Sequence, residues 1–93
     1  MTWAHATFEW DEHNLEHIAR HGVSDDEVEA ASTDPCRVPF SAHSGHLGLI
    51  GKTTSGRVLV VILARRGGGR WRPVTARDAS PREKRSYRRR TKR

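Results

Sequence analysis

The sequence predicts an α+β domain: an antiparallel β-sheet with two N-terminal-half helices on one face, ending in a C-terminal helix or arm. Three observations lead there. Residues 11–32 hold two capped helix signatures, and from Arg37 the apolar residues recur with the period of a strand. Residues 58–63 are apolar at every position, so that strand has two buried faces and belongs in the middle of the sheet.

Residues 7–10 read as a short first strand. Asp11 then caps a helix over about 12–20, with Leu15, Ile18 and Ala19 on one face and Gly22 at the left-handed position after its end. The second helix has the fullest signature. Ser24 and Glu27 make a capping box, Val23 and Val28 a hydrophobic staple, and Asp25, Asp26 and Glu27 sit where the helix dipole favours negative charge. It should stop before Asp34-Pro35. Strands follow at 37–42, weakened by Pro39 and therefore at an edge, then at 46–53 and 57–65 around a Ser55-Gly56 turn. Gly67-Gly68-Gly69 lacks the strand-to-helix setting and Lys-Ser/Thr of a phosphate loop, so it reads as a hairpin turn into a strand at 71–77. Pro73 costs that strand a ladder hydrogen bond, implying an edge position or a bulge. Ser80-Pro81-Arg82-Glu83 opens a last helix with another capping box; residues 82–93, with eight bases and one acid, read as a basic arm prone to fraying.

Ninety-three residues suit one domain spanning 1–93. The net charge of +6 conceals a polarity along the chain: residues 1–36 carry −8 and residues 37–93 carry +14. Such asymmetry favours a polyanion such as RNA, unless the halves neutralise each other within the fold. Cys36 is the lone cysteine, so no disulfide forms within the chain, which fits a reducing cytoplasm. The start, Met1 to His5, lacks the layout of a signal peptide, and no apolar run is long enough to span a bilayer. The expectation is a cytoplasmic protein.

Phe8-Glu9-Trp10-Asp11, Asn14, His17, His21-Gly22-Val23-Ser24, Asp34-Pro35, Gly51-Lys52-Thr53, residues 56–61 (Gly-Arg-Val-Leu-Val-Val), Thr75-Ala76-Arg77, Glu83 and Tyr87 follow in an order that resembles the BrnT toxin family over residues 8–90. The resemblance implies a compact ribonuclease with a fold similar to the RelE toxins. It also implies a cognate antitoxin that masks the active surface, carries the DNA-binding domain and represses the shared promoter, in a dimeric or 2:2 complex. The chain departs from the family pattern at His13, where a basic residue is usual, near His46, where an Arg is usual, and at Pro73, where a branched residue is usual.

Metal-free RNA cleavage needs a base for the 2′-hydroxyl, cations for the charge on phosphorus and an acid for the leaving oxygen. Arg77 is the first candidate for the phosphate clamp, because its fork holds two oxygens, and Lys52 the second. His17 and His21 are candidates for base and acid, since imidazole titrates near neutrality. Glu9 is a further base. Arg57, Arg65, Tyr87, Arg82, Arg85 and Arg88 are candidates for binding RNA, with Tyr87 able to stack on a base. His13, His17 and His21 form a stripe at i, i+4 and i+8, which equally suits a solvated helix face. No zincin spacing accompanies it, so neither metal nor cofactor is expected. The rival readings are a non-catalytic nucleic-acid-binding module and an antitoxin co-repressor.

Overall fold

The computed structural model describes residues 7–91; the Met1 to His5 start and the last two bases of the arm, Lys92 and Arg93, lie outside the described residues. Strands β1 (Thr7–Phe8), β2 (Val38–Ser41), β3 (Leu47–Lys52), β4 (Val58–Gly67) and β5 (Arg70–Asp78) form one sheet in the order β1-β5-β4-β3-β2. Helices α1 (Glu12–Ala19) and α2 (Asp25–Ser32) follow β1, and α3 (Pro81–Thr91) ends the described chain. The three consecutive strand pairings from β2 to β5 are antiparallel, as the sequence predicts. The fourth pairing is parallel: β1 runs alongside β5 with Thr7 opposite Arg70 and Phe8 opposite Trp71. A two-residue strand carries no period from which its partner could be read.

Alternation along β4 divides the molecule into two layers. Leu59, Val61 and Leu63 point to the side covered by α1 and α2, where they pack with Ile18, Val28, Ala31, Leu49 and Trp71. Val58, Val60 and Ile62 point to the other side, where Val60 and Ile50 meet Ala79 and Tyr87. α3 is therefore a docked helix over β3 and β2 rather than a frayed arm.

The caps form as predicted. Ser24 Oγ accepts from the Glu27 N–H, and Glu27 closes the box on the Ser24 N–H. Asp11 does the same with Asn14 as its partner. The buried face of α1 differs from the expected one: Asn14 and Ile18 point inward, whereas Leu15 is 39% exposed and Ala19 is exposed. Asn14 tolerates burial because its amide donates to the carbonyls of Glu9 and Pro73, both at 3.0 Å, while its oxygen accepts from the Asp11 N–H.

β2 is an edge strand, which accommodates Pro39. Pro73 is accommodated by a bulge: Leu63 faces Pro73 and Ile62 faces Thr75, leaving Val74 without a partner in the ladder. Gly67, Gly68 and Gly69 all have positive φ and make the β4–β5 turn. At Gly51 a Cβ would lie 2.0 Å from the Ala31 carbonyl oxygen, so this glycine lets α2 rest directly on β3.

Candidate functional site

The five sequence candidates for catalysis fall in three places. Arg77 and Lys52 lie on the α3 side, His17 and His21 ride on α1 and the turn after it, and Glu9 follows β1.

On the α3 side, one turn of the helix engages both cations. Glu83 caps α3 by accepting from the Ser80 N–H and also holds Arg77 in a two-pronged pair at 2.8 and 2.9 Å. The Arg77 guanidinium, with the Ser80 contacts, takes the Glu83 carboxyl down to about 2. Four residues on, the Tyr87 ring lies beneath the Lys52 ammonium, 5.6 Å from Nζ to the ring centre. Its hydroxyl donates to Asp34 at 2.6 Å. Burial, together with that carboxylate, pushes the phenol above its ordinary range. Burial acts to raise Asp34 as well, but the Tyr87 hydroxyl and the N–H groups of Cys36 and Lys52 outweigh it and leave Asp34 lowered. Tyr87 is 4% exposed, so its ring docks α3 and is not presented for stacking on a base. Arg82, Lys84, Arg85, Arg88, Arg89 and Arg90 line the exposed remainder of the helix.

Arg57 is half-buried and fully occupied by protein partners. Its guanidinium bonds both oxygens of Asp78 at 2.7 and 3.1 Å, both oxygens of Glu27 at 3.1 Å, and the Gly22 carbonyl at 2.8 Å. Asp78, then Glu27, raise it above its usual range. It thus ties β4 to β5, α2 and the loop between the first two helices. Arg65 stacks on Trp71, 5.0 Å from the ring centre. Glu9 pairs with Arg66 at 3.2 Å and Arg70 at 3.6 Å across the β1–β5 margin.

The helical spacing on α1 brings imidazoles to a hollow. His13 and His17, one turn apart, line a cleft of about 340 Å³ against Arg72, Pro73 and Val74, with Asn14 at its floor. β1 pairs only with the first residues of β5, so from Arg72 onward that edge carries no further strand and the cleft opens there. His21 stands edge-on to His17 at 5.4 Å. Arg72 is fixed by Asp11, at 2.8 and 3.3 Å, and this pair takes the Asp11 carboxyl down to about 2. Sequence reasoning missed Arg72 because nothing local distinguishes it among sixteen basic side chains in residues 37–93. The signal was indirect, in an Asp that caps a helix and keeps a free oxygen edge for a guanidinium.

The model of ribonuclease toxins named BrnT, of type II toxin–antitoxin systems, matches residues 10–83. The chain belongs to the BrnT family. The match spans both helices of the α1–α2 layer, all of β2 to β5 and the first turn of α3, and thus includes the cleft and the Arg77–Glu83 pair. No curated protein matches the chain significantly. Membership in the BrnT family makes RNA the substrate class and an antitoxin the partner. Among the described residues, no helix is long and apolar enough to cross a membrane.

Proposed function

We propose that this BrnT family member is an endoribonuclease that uses side chains alone and holds the scissile phosphate in the α1–β5 cleft. The observation that carries this reading is the convergence of His13, His17 and Arg72 on one hollow. One imidazole removes the 2′-hydroxyl proton as that oxygen bonds to phosphorus. The other gives a proton to the 5′ oxygen as its bond to phosphorus breaks, leaving a 2′,3′-cyclic phosphate and a 5′-hydroxyl. Arg72, held in orientation by Asp11, offers its guanidinium to the oxygens that gain charge. His21 orients His17 through their edge contact, and Glu9 keeps Arg66 and Arg70 at the margin. No metal is needed in this scheme, and among the described residues no three His, Cys, Asp or Glu side chains converge as a ligand set.

Arg77, Lys52, Arg82, Arg85 and Arg88 then serve flanking phosphates, adding affinity without sequence preference. We place the antitoxin on that same cationic face, where an acidic segment competes with RNA while the antitoxin alone contacts operator DNA. The test uses purified chain and an RNA oligonucleotide in EDTA. His13→Gln and His17→Gln should each lower kcat roughly 10²–10⁴-fold with RNA binding retained. Loss of cleavage in EDTA, restored by Mg²⁺, would refute the metal-free scheme. A double His variant as fast as the parent would remove the cleft, and binding without any cleavage would favour the non-catalytic module.

A further inference from the structure

α3 covers part of the sheet face on which it lies and leaves the neighbouring part open. The register places Phe40, Gly48, Ile62 and Thr75 side by side across β2, β3, β4 and β5, in one row on that face. The adjacent row, Val38, Ile50, Val60 and Arg77, lies under the helix, where Tyr87 packs with Ile50 and Val60. In the open row Phe40 is 39% exposed, and Ile62 and Thr75 are half-buried. A Cβ on Gly48 would strike the Phe40 ring, so this glycine lets the ring lie down against the β3 backbone. The wall of the row is α3 itself. Lys84 stands on the flank of α3 toward Asp78, whose carboxyl it helps to lower, at the far end of the strands. Arg82, Ser86 and Arg89, at i, i+4 and i+7, therefore line the opposite flank, along the open row. Arg89 bonds the Ser86 hydroxyl at 3.2 Å, and among the described residues no carboxylate pairs with Arg82 or Arg89. The carboxylates bonded to this helix, Glu83 and Asp34, are taken by Arg77 and the Tyr87 hydroxyl.

An apolar floor beside a wall of unpaired guanidinium groups fits an amphipathic helix that carries acids along one flank. We propose that the antitoxin docks such a helix on the Phe40 row, alongside α3, with apolar side chains on Phe40 and Ile62 and carboxylates against Arg82 and Arg89. The assignment rests on the placement of the antitoxin in the reading above, and adds the seat and the chemistry of the segment. β2 and β5 are three strand spacings apart, roughly 14 Å. That is the length of about nine helical residues, so apolar side chains at i, i+4 and i+7 span the row. The row favours a protein segment over RNA. Phe40 is its one ring, whereas Ile62 packs against the apolar cluster beneath α3, so a covering helix extends an existing core.

The test is binding of the full-length cognate antitoxin to this chain, prepared with isotope-labelled isoleucine methyl groups. The Ile62 methyl signal should move on binding, while that of Ile18, in the core beneath α1 and α2, stays in place. Phe40→Ala should weaken the complex about 30-fold or more, as truncation of an aromatic anchor does. Phe40→Leu, still apolar, should retain most of the affinity. Arg82→Gln combined with Arg89→Gln should slow association and flatten its dependence on salt, with dissociation nearly unchanged. A still Ile62 signal in the complex, or parental affinity in Phe40→Ala, would overturn the docking site and leave the ribonuclease reading standing. If Phe40→Ala fails to fold by its melting curve, the Ile62 signal decides. An Ile62 signal that moves with a 2′-O-methylated RNA but not with the antitoxin would make RNA the occupant and also overturn the proposal. A signal that moves with the concentration of the chain alone would do the same in favour of a second copy. Failure of the antitoxin to bind the parent chain at all would instead overturn its placement in the reading beneath, and cleavage by the antitoxin-free chain tests the ribonuclease reading separately.

Discussion

Arg57 was a candidate for RNA contact on sequence grounds, and the structure makes its replacement a sharp experiment. Arg57→Gln removes the charge and the fork while keeping a polar side chain of moderate length. The bonds it breaks differ in worth. Glu27 and Arg57 are 29% and 27% exposed, so this pair and the bond to the Gly22 carbonyl lie partly within the protein. Hydrogen bonds to charged groups in such settings contribute about 1.5–3 kcal/mol. Asp78 is 63% exposed, so its pair is worth well under about 1 kcal/mol. The expected loss is about 2–3 kcal/mol. For a domain of this size each kcal/mol moves Tm by about 4–8 °C, so the variant should melt about 10–20 °C below the parent. Thermal unfolding followed by far-UV circular dichroism measures this, and RNA binding is measured well below both midpoints. A variant that melts within about 2 °C of the parent but loses a phosphate's share of the salt dependence would place Arg57 in RNA contact and refute the structural role.

Three further outcomes follow from the packing and the charges. Tyr87→Phe removes the hydroxyl that donates to Asp34 and should cost about 1.5–2 kcal/mol, with faster amide exchange confined to α3. Gly51→Ala forces a Cβ against the Ala31 carbonyl, so α2 must lift from β3; the midpoint in urea should fall by the equivalent of at least about 2 kcal/mol. Glu83, Asp78, Glu27 and Asp34 are all lowered in the folded state, so their stabilisation is complete above their unfolded values near pH 4 and is lost as pH falls. With Glu83 lowered to about 2, denaturation midpoints should drop between about pH 4.5 and 2, and Glu83→Gln should flatten that drop without changing its shape at about pH 6–8.

Local chemistry was well written in the sequence. The caps at Asp11, Ser24 and Ser80, the two-faced apolar run in β4, the edge placement of Pro39 and the bulge at Pro73 each depend on neighbours a few residues away. What was not legible depends on distant partners. Leu15 looked like core and Asn14 did not, because the bond that permits Asn14 to be buried goes to Pro73, in another strand. Tyr87 had no apolar company on its own helix; its company is Ile50 and Val60 across the sheet, with Asp34 to satisfy its hydroxyl. The His13–His17 spacing was visible, but its meaning waited on Arg72. The charge polarity was visible too, and both of its readings hold in part. Asp11, Glu27 and Glu9 in the acidic third neutralise Arg72, Arg57, Arg66 and Arg70, whereas the bases along α3 face outward.

The pairing of β1 with β5 bears on when such a chain can become harmful as it is synthesised. β1 pairs first with Arg70, and Asn14 needs the Pro73 carbonyl; the wall of the cleft that faces His13 and His17 is β5 itself. The helix α2 can therefore dock on β3 and β4 as they emerge, whereas β1 and α1 lack their main strand partner until β5 has left the ribosome. Contacts this distant in sequence form late and slowly. A toxin arranged in this way completes its cleft only when nearly all of it has been made, so a partner already present meets the finished surface at the moment it forms.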